Sequence, residues 1–229
     1  MRLIKVTEKI PLIIFDTNKE AALTLCRFQE HYESPNVKFR ESPFTLRQFK
    51  NWYIKENGEF SYPEDWGGFN FPSSIVDKFK KGMFNPLFKR EENFIKSIKG
   101  FKSPFYVIAT FQEGNEDIEL FLKHEIAHAL FYTSPTYRKN ALNIIKEFKE
   151  WELNMLKSTL EHGYGENTIV DEIHAYLSTD DMCHWMGEEE QRMLTKRKKL
   201  VRLLKENFED TLINKKIDVK KVAEEIVKG

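Results

Sequence analysis

Two histidines four residues apart, with a glutamate beside the first, occur in His124-Glu125-Ile126-Ala127-His128, and no other stretch constrains the fold of this chain as tightly. On an α-helix this spacing puts both imidazoles on one face, about one turn apart, where they can share one metal ion. The segment must therefore be helical. Its ligand face must also meet another element, because a catalytic zinc site takes three protein ligands and keeps one open position. Apolar Ile118, Phe121, Leu122, Ile126, Ala129 and Leu130 recur at helical spacing, which places the histidines at the border of a buried face. Glu125 reads as the base that takes a proton from the attacking water rather than as a ligand. Upstream, Phe105 to Phe111 is β-branched and aromatic and reads as a strand, with Gly114 and Asn115 turning the chain into the helix.

The third ligand is expected downstream. Val170 to Leu177 reads as a helix with apolar Ile169, Ile173, Tyr176 and Leu177, and Glu172 falls at the edge of that stripe, where a carboxylate can point inward. Carboxylate oxygen is a normal partner to two imidazoles on zinc. Asp171, about 100° round the helix, competes for the role but also suits an N-terminal cap. His174 lies about 200° from Glu172 and cannot share its metal.

These residues resemble gluzincin-type zinc metallopeptidases, and their spacing is similar to that of the anthrax lethal factor catalytic domain and the Pro-Pro endopeptidases. In that group HExxH is followed by a long helix, a Tyr-Gly turn and a glutamate ligand in an Exx-Ala pattern. This chain offers His124 to His128, a helical run from about Thr136 to Glu161, Tyr164-Gly165, and Glu172-Ile173-His174-Ala175. The likeness covers about Phe105 to Asp181, with a tyrosine-to-glutamate gap one residue longer here. It implies a zincin-like α+β fold, mostly helical, with a small mixed sheet beside the active-site helix. It also implies that the Tyr164 hydroxyl stabilises the oxyanion of a tetrahedral intermediate, a task for which His162 in the same turn is the competing donor.

The expected activity is zinc-dependent hydrolysis of a peptide bond in a peptide or protein substrate. Two other readings compete: a zinc hydrolase of a non-peptide amide, and a non-enzymatic interaction protein stabilised by zinc. A fourth ligand from His31, His162 or His184 would close the open position and favour the last of these. With 36 basic and 36 acidic residues the chain is neutral, which gives no reason to expect nucleic acid or an anionic membrane as partner. Two cysteines, Cys26 and Cys183, do not make a disulfide framework, and no apolar run resembles a signal peptide or a membrane span. A cytoplasmic protein is expected.

Along the chain, an N-terminal portion over residues 1–104 precedes the zinc-binding core at 105–187 and C-terminal helices at 188–229, with one compact unit as the default. Residues 1–15 suggest a strand, Lys19 to Tyr32 a helix capped by Asp16 or Thr17, and Thr45 with Gln48 a capping box on a helix ending near Asn57-Gly58. Short helices follow at Ser73 to Lys81 and Asn93 to Lys99. The aromatic loop 59–74, with Phe60, Tyr62, Trp66, Phe69 and Phe71, either folds over the core or walls a substrate cleft. The strand at Phe105 to Phe111 is the candidate edge for pairing with extended substrate. Pro135 ends or interrupts the motif helix, and Leu142, Ile145, Phe148, Trp151, Leu153 and Leu156 form one core stripe. Glu188 to Leu212 reads as a long charged helix whose Lys196 to Lys199 run is a solvated face, and Asp218 caps a last helix, Val219 to Val227.

Overall fold

The structure, a computed structural model, describes residues 1–112, 118–160, 168–179, 189–211 and 224. It is a mixed α+β protein, mostly helical, with a four-stranded mixed sheet. The chain divides into two compact units, one formed by Met1–Glu116 with Val222–Gly229 and the other by Asp117–Lys221. The division falls after residue 116, so the strand expected to belong with the metal-binding segment folds with the N-terminal unit instead.

In the first unit, residues 1–15 form a hairpin of β1 (Arg2–Thr7) and β2 (Ile10–Phe15) where the sequence suggested one strand. Helices α1 (Asn18–Glu33), α2 (Val37–Glu41), α3 (Leu46–Asn57) and α4 (Tyr62–Asp65) precede β3 (Phe69–Pro72); α5 (Ser73–Lys80) and α6 (Lys89–Ser97) precede β4 (Tyr106–Phe111). The sheet order is β1-β2-β4-β3, with β2 parallel to β4 and the other pairs antiparallel. Every residue of β2 and β4 is buried, which explains their near-continuous apolar sequences.

Local signals set the helix ends. Thr17 accepts from the Glu20 amide at 3.2 Å, and Thr45 with Gln48 forms the capping box. Helix α3 stops at Gly58, whose φ of 88° suits a residue without Cβ. The second short helix begins earlier than expected, at Lys89, where the Glu91 carboxylate receives the Phe88 amide at 2.8 Å.

Residues 59–74 contribute a short helix and a strand; Tyr62, Phe69 and Phe71 are buried in the core and Phe60 packs against the same cluster, whereas Trp66 is 40% exposed. Core packing, the first of the two expectations, accounts for four of these five aromatics. Phe28 stacks on Phe79 at 3.7 Å between ring centroids, and Phe79 stacks on Phe84 at 4.0 Å. Arg27 is buried in this layer, ion-paired with Glu91 and donating to the Phe84 carbonyl at 3.1 Å, so its charge is both neutralised and hydrogen-bonded.

Strand β4 lies inside the sheet, between β2 and β3, and is not the free edge that substrate pairing requires. Of the two edge strands, β3 has its Asn70 amide occupied by the Gln29 side chain at 2.9 Å.

The second unit is helical among its described residues: α7 (Ile118–Thr133), α8 (Pro135–Ile145), α9 (Glu150–Leu160), α10 (Ile169–Thr179) and α11 (Glu189–Thr211). Pro135 opens α8 just after its cap Ser134, which accepts from the Tyr137 amide at 3.3 Å, so the proline ends α7 by starting the next helix. The expected run from Thr136 to Glu161 is two helices, not one. Phe148 turns into the core between them, and the Glu152 carboxylate folds back onto the Lys149 amide at 2.6 Å to start α9. The break shifts the helical phase, leaving Trp151 at 43% exposure while Glu152 is buried. Helix α10 packs against α7, α9 and α11, and α8 packs against α7 and α11. On α11, Lys196 pairs with Glu152 and Lys199 with Glu147 at 2.5 Å, while Arg197 is buried. The proposed last helix, Val219 to Val227, lies outside the described residues apart from residue 224, which is helical. No helix among the described residues is long and apolar enough to cross a membrane.

Candidate metal centre

Helix α7 buries Ile118, Leu122, Ile126, Ala129 and Leu130, and this orientation carries the motif residues to the face that meets α10. His124 and His128 stand one turn apart, with ring centroids 4.8 Å apart and Nε2 atoms 3.1 Å apart. Glu172, in the first turn of α10, brings Oε2 to 3.7 Å from His124 Nε2 and 3.5 Å from His128 Nε2. In the plane of these three atoms, the point equidistant from them lies about 2 Å from each, the length of zinc–nitrogen and zinc–oxygen bonds. His124, His128 and Glu172 form the single group of this kind among the described residues.

Three acceptor atoms meeting in a buried space repel unless a cation or proton lies among them. Of the converging atoms, Glu172 Oε2 is buried without a hydrogen-bond partner among the described residues, and so are Glu125 Oε2 and His124 Nδ1 beside it. Two imidazole nitrogens and one carboxylate oxygen suit zinc, and no fourth protein ligand joins them among the described residues. His31, one of the possible fourth ligands, has its Nδ1 on the Phe39 carbonyl at 2.7 Å and its Nε2 on Lys78 at 2.9 Å in the first unit.

Charge follows the same geometry. Burial alone would lower the His128 pKa, but the Asp171 and Glu172 carboxylates raise it well above its usual value. Burial would raise Asp171, whereas His128 and His174 bring it down to about 2. Glu172 is likewise raised by burial and, on balance, lowered by His128 and His124. Glu125 is the exception: burial raises its pKa, only partly opposed by the two histidines.

Asp171 and Glu172, the two candidates for the third ligand, meet different imidazole nitrogens. Asp171 Oδ2 lies 3.1 Å from Nδ1 of His128, the nitrogen turned away from the cluster, while Glu172 faces Nε2. Asp171 thus occupies the place of an outer carboxylate that fixes a ligand's tautomer and ring orientation. His174 points away from the cluster, as its position on the helix requires, with Nδ1 3.4 Å from Asp171 Oδ1 and Nε2 2.7 Å from the Tyr137 hydroxyl. Tyr176 packs edge-on against His124, with centroids 4.5 Å apart.

Tyr137 was not singled out from the sequence, although Tyr137, Ala141 and Ile145 recur at four-residue spacing and share the buried face of α8. A buried tyrosine needs a partner for its hydroxyl, and that was the available signal. Tyr164 and His162, the expected oxyanion donors, lie outside the described residues, as does His184. No protein-family model matches the sequence, and neither a curated protein nor a solved structure matches the chain.

Proposed function

We propose that this protein is a zinc-dependent hydrolase, a metallopeptidase of zincin-like fold that cleaves peptide bonds in a peptide or protein substrate. The observation that carries the reading is the convergence of His124, His128 and Glu172 on one point beside a buried Glu125 whose Oε2 has no hydrogen-bond partner among the described residues. A purely structural zinc site has no use for such a carboxylate and closes its fourth position with protein.

His124, His128 and Glu172 would hold the ion. Zinc bound there supplies Lewis acidity, which brings water deprotonation towards neutral pH and polarises the scissile carbonyl. Glu125 accepts the proton of the attacking water and returns it to the leaving amine. Burial raises its pKa, the direction that favours proton uptake by a carboxylate. Asp171 keeps the His128 proton on Nδ1 and so leaves Nε2 free to ligate. Tyr164, or His162 beside it, is assigned to the oxyanion. A cytoplasmic setting fits the free, buried thiol of Cys26.

The deciding experiment is Glu125→Gln, assayed for zinc content and for cleavage of a peptide library. The reading predicts retained zinc with hydrolysis reduced by about 10²–10⁴-fold. Wild-type protein that binds zinc and cleaves only non-peptide amides would transfer the reading to that class, and zinc binding with no hydrolysis of any amide would leave a structural site.

A further inference from the structure

We propose that His174 and Tyr137 are positioning residues that fix Asp171, and through it the ring of His128, for metal binding. The proposal rests on His124, His128 and Glu172 being metal ligands and is independent of what the site hydrolyses.

The hydrogen-bonding capacities allow one arrangement when His128 gives Nε2 to a metal. His128 then carries its proton on Nδ1 and donates to Asp171 Oδ2 across 3.1 Å. Asp171, ionised, can only accept, so His174 carries its proton on Nδ1 and faces Oδ1 across 3.4 Å. His174 Nε2 is left as an acceptor, and the Tyr137 hydroxyl donates to it at 2.7 Å. Each donor in the chain thereby has an acceptor and each tautomer is specified.

Placement adds to the argument. His174 is 0% exposed, and its ring stacks on Phe131 at 5.0 Å and 26°, while Asp171 retains 17% side-chain exposure. The chain joins three helices: His128 and Phe131 belong to α7, Tyr137 to α8, and Asp171 and His174 to α10. An apolar ring at position 174 would stack on Phe131 without burying two polar nitrogens, so the imidazole's contribution lies in its two hydrogen bonds.

The test uses the full chain and compares zinc and cobalt(II) affinity, by chelator competition, in wild type, Asp171→Asn, His174→Phe, Tyr137→Phe and the Asp171→Asn/His174→Phe double variant. Melting curves of the metal-free proteins and the visible spectra of the cobalt forms are recorded alongside. His174→Phe and Tyr137→Phe should each lower affinity about tenfold and shift the cobalt bands, as expected when an outer partner of a ligating histidine is lost. In the double variant affinity should fall no further than in Asp171→Asn alone, because residues acting through one another are not additive. Wild-type affinity in both single variants, or additive losses in the double variant, would overturn the proposal. Should His174→Phe fail to fold, Tyr137→Phe, which removes a single oxygen atom, still decides. Affinity shifts as described in a protein that cleaves no amide would sustain this proposal while overturning the hydrolase reading; wild type that binds neither metal would overturn both.

Discussion

A buried carboxylate oxygen without a partner is destabilising, and among the described residues α7 carries one at Glu125 and α10 another at Glu172 Oε2. The two have different consequences when altered. Glu172→Ala removes a converging ligand and should weaken zinc by more than the about 10–100-fold typical of losing an outer partner, measured by chelator competition. Glu125→Gln should leave that affinity close to wild type. The titration of His128 adds a dependence on pH. In the metal-free protein its folded pKa stands above its unfolded value near 6.5, so it contributes stability that is fully present below that value and is lost as pH rises through the folded pKa. Asp171, brought from 3.8 to about 2, contributes stability above its unfolded value and loses it as pH falls towards 2. Melting temperatures of the metal-free protein should therefore decline on the alkaline side, and His128→Gln should flatten that decline. Because a metal on His128 Nε2 would displace a proton held there, binding should release protons, seen calorimetrically as a dependence on buffer ionisation enthalpy.

At the scale of elements, the break between α8 and α9 depends on Glu152, which caps Lys149 and pairs with Lys196 on α11. Glu152→Ala should cost about 1–3 kcal/mol in urea unfolding, since it leaves the Lys149 amide and the Lys196 ammonium without their partner. Elements whose signal is local were legible in the sequence: the capping box at Thr45, the stop at Gly58, the strand at Tyr106–Phe111 and the helix bearing His124 and His128. Those decided by distant packing were not. Phe148 enters the core by breaking a helical run that its own spacing would have continued, and Phe69–Pro72 is a strand because it pairs with residues more than thirty positions away. The site divides in the same way. His124, His128 and Glu172 follow from the periodicity of two helices, whereas the Tyr137–His174–Asp171 arm needs a third helix whose placement no local pattern states. The 171–174 pair was within reach, since residues three apart on a helix are neighbours.

At the scale of the whole molecule, the chain forms two compact units: one is built on a sheet and an aromatic core, the other brings His124, His128 and Glu172 together on α7 and α10. Zinc should protect amides of α7 and α10 from hydrogen exchange, and at about 1,000 times its dissociation constant it should stabilise the fold that holds it by about 4 kcal/mol. Protection of the sheet strands in place of these helices would put the metal elsewhere. The most direct measurement is zinc per chain by mass spectrometry, on protein purified without added metal, with Glu172→Ala measured alongside. The account predicts about one zinc per chain in the wild type, as a single three-ligand site requires, and its loss in the variant. A wild type that takes up no zinc when it is supplied, or a variant that retains it, would contradict the account.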